Sequence, residues 1–171
     1  MSIRSTTSLE QHVLLGDYAV IDFETSGVSP AHGARVTEIG VVLLSNGRVI
    51  ERYQSLMNSG VAIPPSAEAL TGITTAMIEN APSTYQVMSE VIELIGTRQI
   101  VTHNASFDLA FWNAEMANIR LEPYSHSYLC TLLLSKRIFP GLKSYNQHAL
   151  ADELNLEATS DPHSTQEFAN L

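Results

Sequence analysis

The chain is poor in cysteine and in basic residues. Cys130 is the only cysteine in 171 residues, so an internal disulfide is excluded. Nine lysines and arginines stand against 18 aspartates and glutamates, for a net charge of −9. This balance argues against a protein that binds nucleic acid by neutralising phosphates over a broad basic face. Any contact with nucleic acid would therefore need help from metal ions.

Long hydrophobic runs are also missing. The longest apolar stretches, such as residues 39–44, are far shorter than the roughly 20 residues of a membrane span. The N-terminal residues lack the apolar core of a secretory signal. From these features we expect a cytoplasmic protein that does not interact with membranes.

What the chain does contain is typical of a globular protein. Hydrophobic residues make up 44% of the sequence and charged residues 16%. A length of 171 residues fits one domain, so we expect a single domain over residues 1–171.

The order of the predicted elements indicates an α/β protein. Three β segments come first and are followed by helices and a further strand, which predicts a mixed sheet with helices on its faces. The predicted strands are residues 18–24, 36–44, 47–57 and 99–102, with a turn at 45–47. The predicted helices are residues 84–95, a segment that begins at Asn104 as N-cap, 131–139 and 144–154. Residues 58–82 are assigned to a connection.

Two acidic residues, Asp22 and Glu24, stand in the first predicted strand. Side chains alternate along a strand, so both carboxylates point to the same face. Such a pair is costly unless something positive sits between them, and an oxygen-only site favours hard cations such as Mg²⁺ or Mn²⁺. The alternative is a half-exposed strand end with two solvated acids, and Asp-x-Glu alone favours that alternative.

A second cluster occupies residues 103–108 (His-Asn-Ala-Ser-Phe-Asp), after a strand and at the start of a helix. It places Asp108 in the first helical turn, where the helix dipole favours a negative group. The alternative is an ordinary acidic residue at a helix start. Phe111 and Trp112 follow at helical spacing and are assigned to the core, while His103 is given a structural role.

Together the blocks 21–27 (Ile-Asp-Phe-Glu-Thr-Ser-Gly) and 103–108 resemble the proofreading exonucleases of the DEDDh type, which include the epsilon subunit of bacterial DNA polymerase III. Further segments of this family pattern appear in order at 63–65, 70–74, 81–82, 130–132 and 139–141. The resemblance implies a ribonuclease H-like fold with five strands in the order 3-2-1-4-5, the second antiparallel, flanked by helices. It also implies a 3′→5′ exonuclease that acts on DNA, or alternatively on RNA.

The same resemblance assigns the catalytic residues. Asp22, Glu24 and Asp108 would hold two Mg²⁺ or Mn²⁺ ions, which can activate a water and stabilise the leaving 3′ oxygen. His163 stands at the position of the family's general base, and an imidazole can take a proton at neutral pH. Without the resemblance, His163 would be interpreted as a surface residue.

The resemblance also implies how a substrate end is bound. Thr25 and Asn104 would lie close to the terminal nucleotide, while Leu70, Thr71 and Phe107 would form a slot for the last base and sugar. Apolar and aromatic surfaces accept any base by stacking, so the expected partners are single-stranded or frayed 3′ ends. A DNA polymerase is a further expected partner.

The last motif departs from the family pattern. The family has an aspartate five residues after the histidine, whereas this chain has Phe168 there. Glu167 is one residue early, which on a helix turns the side chain by about 100°. Three accounts stay open: Glu167 serves as a metal ligand after a register shift, the chain is truncated or frame-altered, or the fold binds without cleaving.

The chain ends at Leu171, where family members usually continue a helix. We therefore expect the C-terminal closing helix of the domain to be short or missing. Its absence would expose apolar sheet surface, which suggests self-association or coverage by a partner.

Three function classes follow. The first is the exonuclease, and the second is a catalytically impaired module with the same fold that binds nucleic-acid ends or a polymerase. The third is a phosphatase of small phosphate esters, which would need the metals but not the slot at Leu70 and Phe107. Preference for DNA or RNA depends on contacts with the 2′-hydroxyl that no motif in this sequence specifies.

Overall fold

A computed structural model of the protein describes residues 16–156, apart from Tyr124 and His126. The strands are β1 (Asp17–Thr25), β2 (Val36–Ser45), β3 (Arg48–Leu56), β4 (Gln99–Thr102) and β5 (Tyr128–Cys130). The α-helices are α1 (Pro65–Thr71), α2 (Thr75–Glu79), α3 (Thr84–Ile95), α4 (Ala105–Asn118), α5 (Thr131–Ile138) and α6 (Gln147–Leu154), and a short 3₁₀ helix spans Pro30–His32.

The five strands form one mixed sheet in the order β3-β2-β1-β4-β5. β2 runs antiparallel to β1 and β3, while β4 is parallel to β1 and β5 is parallel to β4. This confirms the expected five-stranded, ribonuclease H-like order with a reversed second strand. Asn46 and Gly47 connect β2 to β3 with φ angles of 52° and 71°, so the predicted turn is of the hairpin type that needs two positive φ values.

One face of the sheet carries the main hydrophobic core. In β1, Ala19, Ile21 and Phe23 point into this core, where they meet side chains of α3 and α4. Val20 points to the opposite face and packs with Val42 of β2. β1 therefore alternates as its sequence predicted, because successive side chains of a strand leave opposite faces.

The two long helices cover the core face. Ser83 caps α3 by accepting a hydrogen bond from the amide of Gln86, and Val87 and Val91 of this helix are fully buried. In α4, Phe111 and Trp112 are 0% and 2% exposed, which confirms their assignment to the core. α3 spans the predicted residues 84–95.

Two sequence predictions of local structure were wrong. The connection predicted at residues 58–82 contains the short helices α1 and α2, which hold too few residues to show a helical period. Asn104 does precede α4, but its backbone is left-handed (φ 61°, ψ 51°) and its side chain caps no helical amide. Its side-chain carbonyl oxygen instead accepts a hydrogen bond from the hydroxyl of Ser106. An asparagine tolerates this conformation because its short polar side chain can bond locally.

Of the helices that the structure describes, none is long and apolar enough to cross a membrane.

Candidate active site

The C-terminal part of β1 presents two carboxylates. Asp22 and Glu24 are half-buried and lie on the face opposite to Ile21 and Phe23, which are in the core. The register between β1 and β2 shifts between Glu24 and Thr25. Such bulges re-aim side chains at the end of a strand.

The neighbouring strand shapes the surface around this pair. Asp22 stands opposite Gly40 of β2, and Glu24 stands opposite Glu38. Gly40 places no side chain beside Asp22, and its own backbone is buried. A glycine inside a strand often marks a place where a ligand comes close to the backbone.

Asp108 lies in the first turn of α4 and is 1% exposed. Thr102, the last residue of β4, donates a hydrogen bond from Oγ1 to Oδ2 of Asp108 at 2.6 Å. The other carboxylate oxygen, Oδ1, is buried and accepts no hydrogen bond of ordinary geometry from the described residues. A buried polar atom without a partner is costly, so Oδ1 fits a bound cation or water.

Burial dominates the electrostatics of Asp108. Desolvation raises the pKa of its carboxyl from 3.8 to about 6, although the Thr102 hydroxyl and the backbone amides of Asp108 and Phe23 partly offset this effect. Phe23 lies between Asp22 and Glu24 in β1. The effect of its backbone amide on the pKa of Asp108 therefore places the Asp108 carboxyl near the end of β1 that carries the acidic pair. A divalent cation there would favour the ionised form of all three.

The described residues do not by themselves complete a metal cage. No group of three or more histidine, cysteine, aspartate or glutamate side chains within residues 16–156 is arranged to hold a metal ion. His163 and Glu167, along with Phe168 and the expected closing helix, lie outside the described residues. The donor set is nonetheless all oxygen, which fits Mg²⁺ or Mn²⁺ rather than a softer ion.

Three of the predicted substrate-binding residues differ in exposure and in hydrogen bonding. Leu70 is 76% exposed and offers apolar surface. Thr71 is buried, and its hydroxyl donates to the carbonyl of Ala67. The hydroxyl of Thr25 donates to the carbonyl of Gly27 at 2.8 Å. Both threonine hydroxyls thus stabilise local turns in the absence of substrate.

The remaining two predicted substrate residues are at the start of α4. Phe107 is half-buried, and its ring centre lies 4.9 Å from that of Phe111 in the core. Asn104 is exposed. The ring of Phe107 is therefore held by aromatic packing, which suits a wall of a binding slot.

His103 links β4 to the region of α5. Its Nδ1 lies 3.0 Å from Oγ1 of Thr131, whose hydroxyl in turn donates to the carbonyl of Thr102. Burial lowers the pKa of the imidazole, partly offset by the backbone of Tyr145. These contacts are consistent with the structural role predicted for His103.

A buried ion pair anchors the segment that follows β1. The Arg35 guanidinium binds the Glu115 carboxylate of α4 at 2.7 Å and donates to the carbonyl of Ser59. Glu115 is 0% exposed and also accepts from the amide of Val36. Arg35 and Ser26 are joined by two further hydrogen bonds. The pair fixes the return of the chain from β1 into β2 beside the acidic residues.

Sequence analysis missed one polar pair at this face. Glu38 of β2 is only 8% exposed and accepts a hydrogen bond from Gln54 of β3 at 2.8 Å. Desolvation raises the pKa of the Glu38 carboxyl, which the Gln54 bond partly offsets. A signal was present, because Glu38 is the only charged residue in the otherwise apolar segment 36–44.

A family model described as Exonuclease matches residues 19–165. Among curated relatives, 3′-5′ exonuclease DinG of Bacillus subtilis is 34% identical over 90% of this chain. The DNA polymerase III epsilon subunit of Aquifex aeolicus is 31% identical over 95% of this chain and 80% of its own length. A PolC-type DNA polymerase III of Bacillus cereus is 33% identical over 88% of this chain. The chain spans only 16% of DinG and 10% of the PolC-type protein.

Solved structures show a similar fold. Exonuclease X in complex with 5′ overhanging duplex DNA has a TM-score of 0.64 and 28% identity, covering 85% of this chain and 77% of its own. The nuclease domain of 3′hExo, a DEDDh family member bound to rAMP, has a TM-score of 0.78 and 19% identity, covering 90% of this chain and 86% of its own. At that lower identity the second match concerns the fold alone.

Proposed function

The chain belongs to the exonuclease family, and on this premise we propose that it hydrolyses nucleotides from the 3′ end of DNA with the help of two Mg²⁺ or Mn²⁺ ions. Members of this family generally use divalent metal ions. The proposed products are nucleoside 5′-monophosphates. RNA is a second candidate substrate.

The observation that carries the proposal is the Asp108 carboxyl. It is buried, with Oδ1 unpartnered among the described residues, beside the strand that carries Asp22 and Glu24. Three carboxylates near one strand end repel each other unless cations neutralise them. Thr102 holds one oxygen of Asp108, which fixes the orientation of the carboxylate toward a ligand.

Asp22, Glu24 and Asp108 would hold the divalent cations. These ions would supply the positive charge that lowers the pKa of a water and stabilises the departing 3′ oxygen. His163 accepts the proton of the attacking water, and Glu167 is the candidate for the remaining carboxylate ligand. The role of His163 rests on the family pattern and that of Glu167 on a register shift of one residue from that pattern, and both residues lie outside the described part of the chain.

For the substrate we propose single-stranded or frayed 3′ ends. Exposed Leu70 and the packed ring of Phe107 support a slot that accepts a base by stacking. Thr25, Thr71 and Asn104 are the proposed polar neighbours of the terminal nucleotide. The similarity to an epsilon subunit supports a DNA polymerase as a partner.

The direct test is digestion of a 3′-labelled single strand with Mn²⁺. We expect release of mononucleotides by the wild type and a loss in Asp22→Ala that exceeds the roughly 10- to 100-fold effect of losing an outer-shell partner of a metal ligand. Glu51→Gln is a matched control, because Glu51 is exposed on β3 and lies away from the acidic face. No digestion by the wild type at high enzyme concentration would refute the proposal.

The alternative function is a module that keeps the fold and binds ends or a polymerase without cleavage. It is motivated by Phe168, which stands where the family has its last acidic ligand. Calorimetric titration with Mn²⁺ separates the two, since the enzyme should take up two ions and the module one or none. Binding of a single strand without turnover would favour the module.

A further inference from the structure

A small cleft lies on the acidic face of the sheet, one strand away from β1. Its volume is about 210 Å³, smaller than the roughly 300 to 1,000 Å³ of pockets for drug-sized ligands. The cleft is lined by Glu38, Gln54, Leu56, Thr71, Gly72, Ile73 and Met77. This size suits one planar ring rather than a whole nucleotide.

Sheet register places the polar lining of the cleft on the same face as the candidate metal ligands. Glu38 is directly opposite Glu24, and Gly40 is opposite both Asp22 on one side and Gln54 on the other. Residues opposite each other share a face, and strands lie about 4.8 Å apart. Gln54 is therefore about 10 Å from β1, with Gly40 of β2 between them.

Glu38 lines this cleft with a carboxylate that is only partly used by its neighbour. Its Oε1 accepts from Nε2 of Gln54, and Oε2 takes no part in that bond. The Glu38 residue is 8% exposed. A carboxylate has two acceptor oxygens, so Glu38 can accept a further hydrogen bond from a ligand in the cleft.

Gln54 supplies the complementary group. Donation of one N–H to Glu38 fixes the orientation of its amide and leaves the second N–H for another acceptor. Gln54 is exposed, so a ligand can reach it. The pair thus presents an acceptor next to a donor.

The Watson–Crick edge of every nucleobase carries the matching arrangement of a donor next to an acceptor. The amino and ring nitrogen of adenine or cytosine fit it, and so do the ring N–H and carbonyl of guanine or thymine. The apolar part of the cleft, Leu56, Ile73 and Met77, can contact the ring itself. Glu38 and Gln54 can therefore bind any base, but only a base whose pairing edge is unoccupied.

We propose that Glu38 and Gln54 bind the Watson–Crick edge of the 3′-terminal base, so that this site recognises an unpaired end. The inference rests on the proposed exonuclease function and adds a source of selectivity that stacking at Leu70 and Phe107 cannot supply. A base that is paired in a duplex has its edge occupied and is excluded from the cleft.

The test uses single-stranded oligonucleotides, so that pairing itself plays no part. One ends in thymidine, one in N3-methylthymidine, whose pairing edge is blocked, and one in deoxyuridine, whose pairing edge is that of thymidine. We expect the wild type to release N3-methylthymidine with a kcat/KM about 10-fold below that of thymidine, the effect of losing a hydrogen bond to a charged group. Deoxyuridine should be released like thymidine.

The ratio of kcat/KM for thymidine to kcat/KM for N3-methylthymidine measures this selectivity. Glu38→Gln should bring the ratio close to one, because the substitution removes the charged acceptor that the ring N–H of thymine requires. Gln54→Ala should also lower the ratio, while the control Glu51→Gln should leave it at the wild-type value. A purely structural defect slows release of both nucleotides and leaves their ratio unchanged.

Two results would overturn the inference while the exonuclease function stands. One is equal release of thymidine and N3-methylthymidine by the wild type, and the other is an unchanged ratio in Glu38→Gln. Failure of the wild type to release any nucleotide would instead refute the proposed function, and this inference with it.

Discussion

Replacing Asp108 by asparagine should change the stability of the metal-free protein in a pH-dependent way. The free energy of unfolding of the variant, relative to that of the wild type, should be higher at neutral pH than at acid pH. The pKa of the buried carboxyl lies near 6 instead of 3.8, a difference that corresponds to about 3 kcal/mol. Asparagine has nearly the same shape and can still accept the hydrogen bond of Thr102. Its amide nitrogen would occupy the place of the unpartnered Oδ1, which adds a cost that does not vary with pH.

The sign of the pH dependence follows from proton linkage. Between pH 3.8 and about 6, folded Asp108 keeps its proton while the unfolded chain loses it. Because the native state then binds more protons, the free energy of unfolding of the wild type falls as pH rises through this window and is constant above it. The asparagine variant lacks this contribution. The difference in stability, variant minus wild type, should increase by about 2 kcal/mol from about pH 4 to about pH 7, since a small part of the full effect is already present at pH 4.

Urea unfolding in the presence of EDTA measures this difference, with fluorescence of the single tryptophan, Trp112, as the probe. Asp152→Asn is a matched control, since it removes an exposed carboxylate and should change stability by less than about 0.5 kcal/mol. Added Mn²⁺ should stabilise the wild type more than the asparagine variant. A difference that stays constant over this pH range would refute the burial of the Asp108 carboxyl.

Two further substitutions test other parts of the structure. Arg35→Ala should lower the free energy of unfolding by about 3 to 5 kcal/mol, because it leaves the fully buried Glu115 carboxylate without its charged partner. Urea unfolding measures this loss, and a value below about 1 kcal/mol would contradict the ion pair. Glu38→Gln should keep or raise the melting temperature at neutral pH, since burial disfavours the ionised Glu38 carboxyl and raises its pKa. A clear drop in the melting temperature would show that the charge of Glu38 stabilises the fold.

Much of the architecture was predictable because its signals are local. Alternation in β1, the Asn46-Gly47 turn and the apolar spacing of α3 each involve residues within a few positions of one another. The strand order was implied by the resemblance to the exonuclease family. Helices α1 and α2 escaped prediction because they have seven and five residues, too few to show a period.

The candidate site was predictable only in part. Asp22 and Glu24 share a face as the strand period required, and Asp108 opens a helix as expected. The sequence could not show that Thr102 holds the Asp108 carboxylate or that Asn104 adopts a left-handed backbone instead of capping α4. These features depend on how the end of β4 packs against the start of α4.

By itself the sequence determined the identity of the acidic residues and the motifs that carry the family resemblance, and that resemblance in turn implied the strand order. Only the tertiary structure decided which polar groups are buried and with which partners. The bond between Glu38 and Gln54 spans 16 positions and that between Arg35 and Glu115 spans 80. Desolvation arises from packing of distant segments, so the raised pKa of Asp108 and the cleft at Glu38 and Gln54 become visible only in the folded chain.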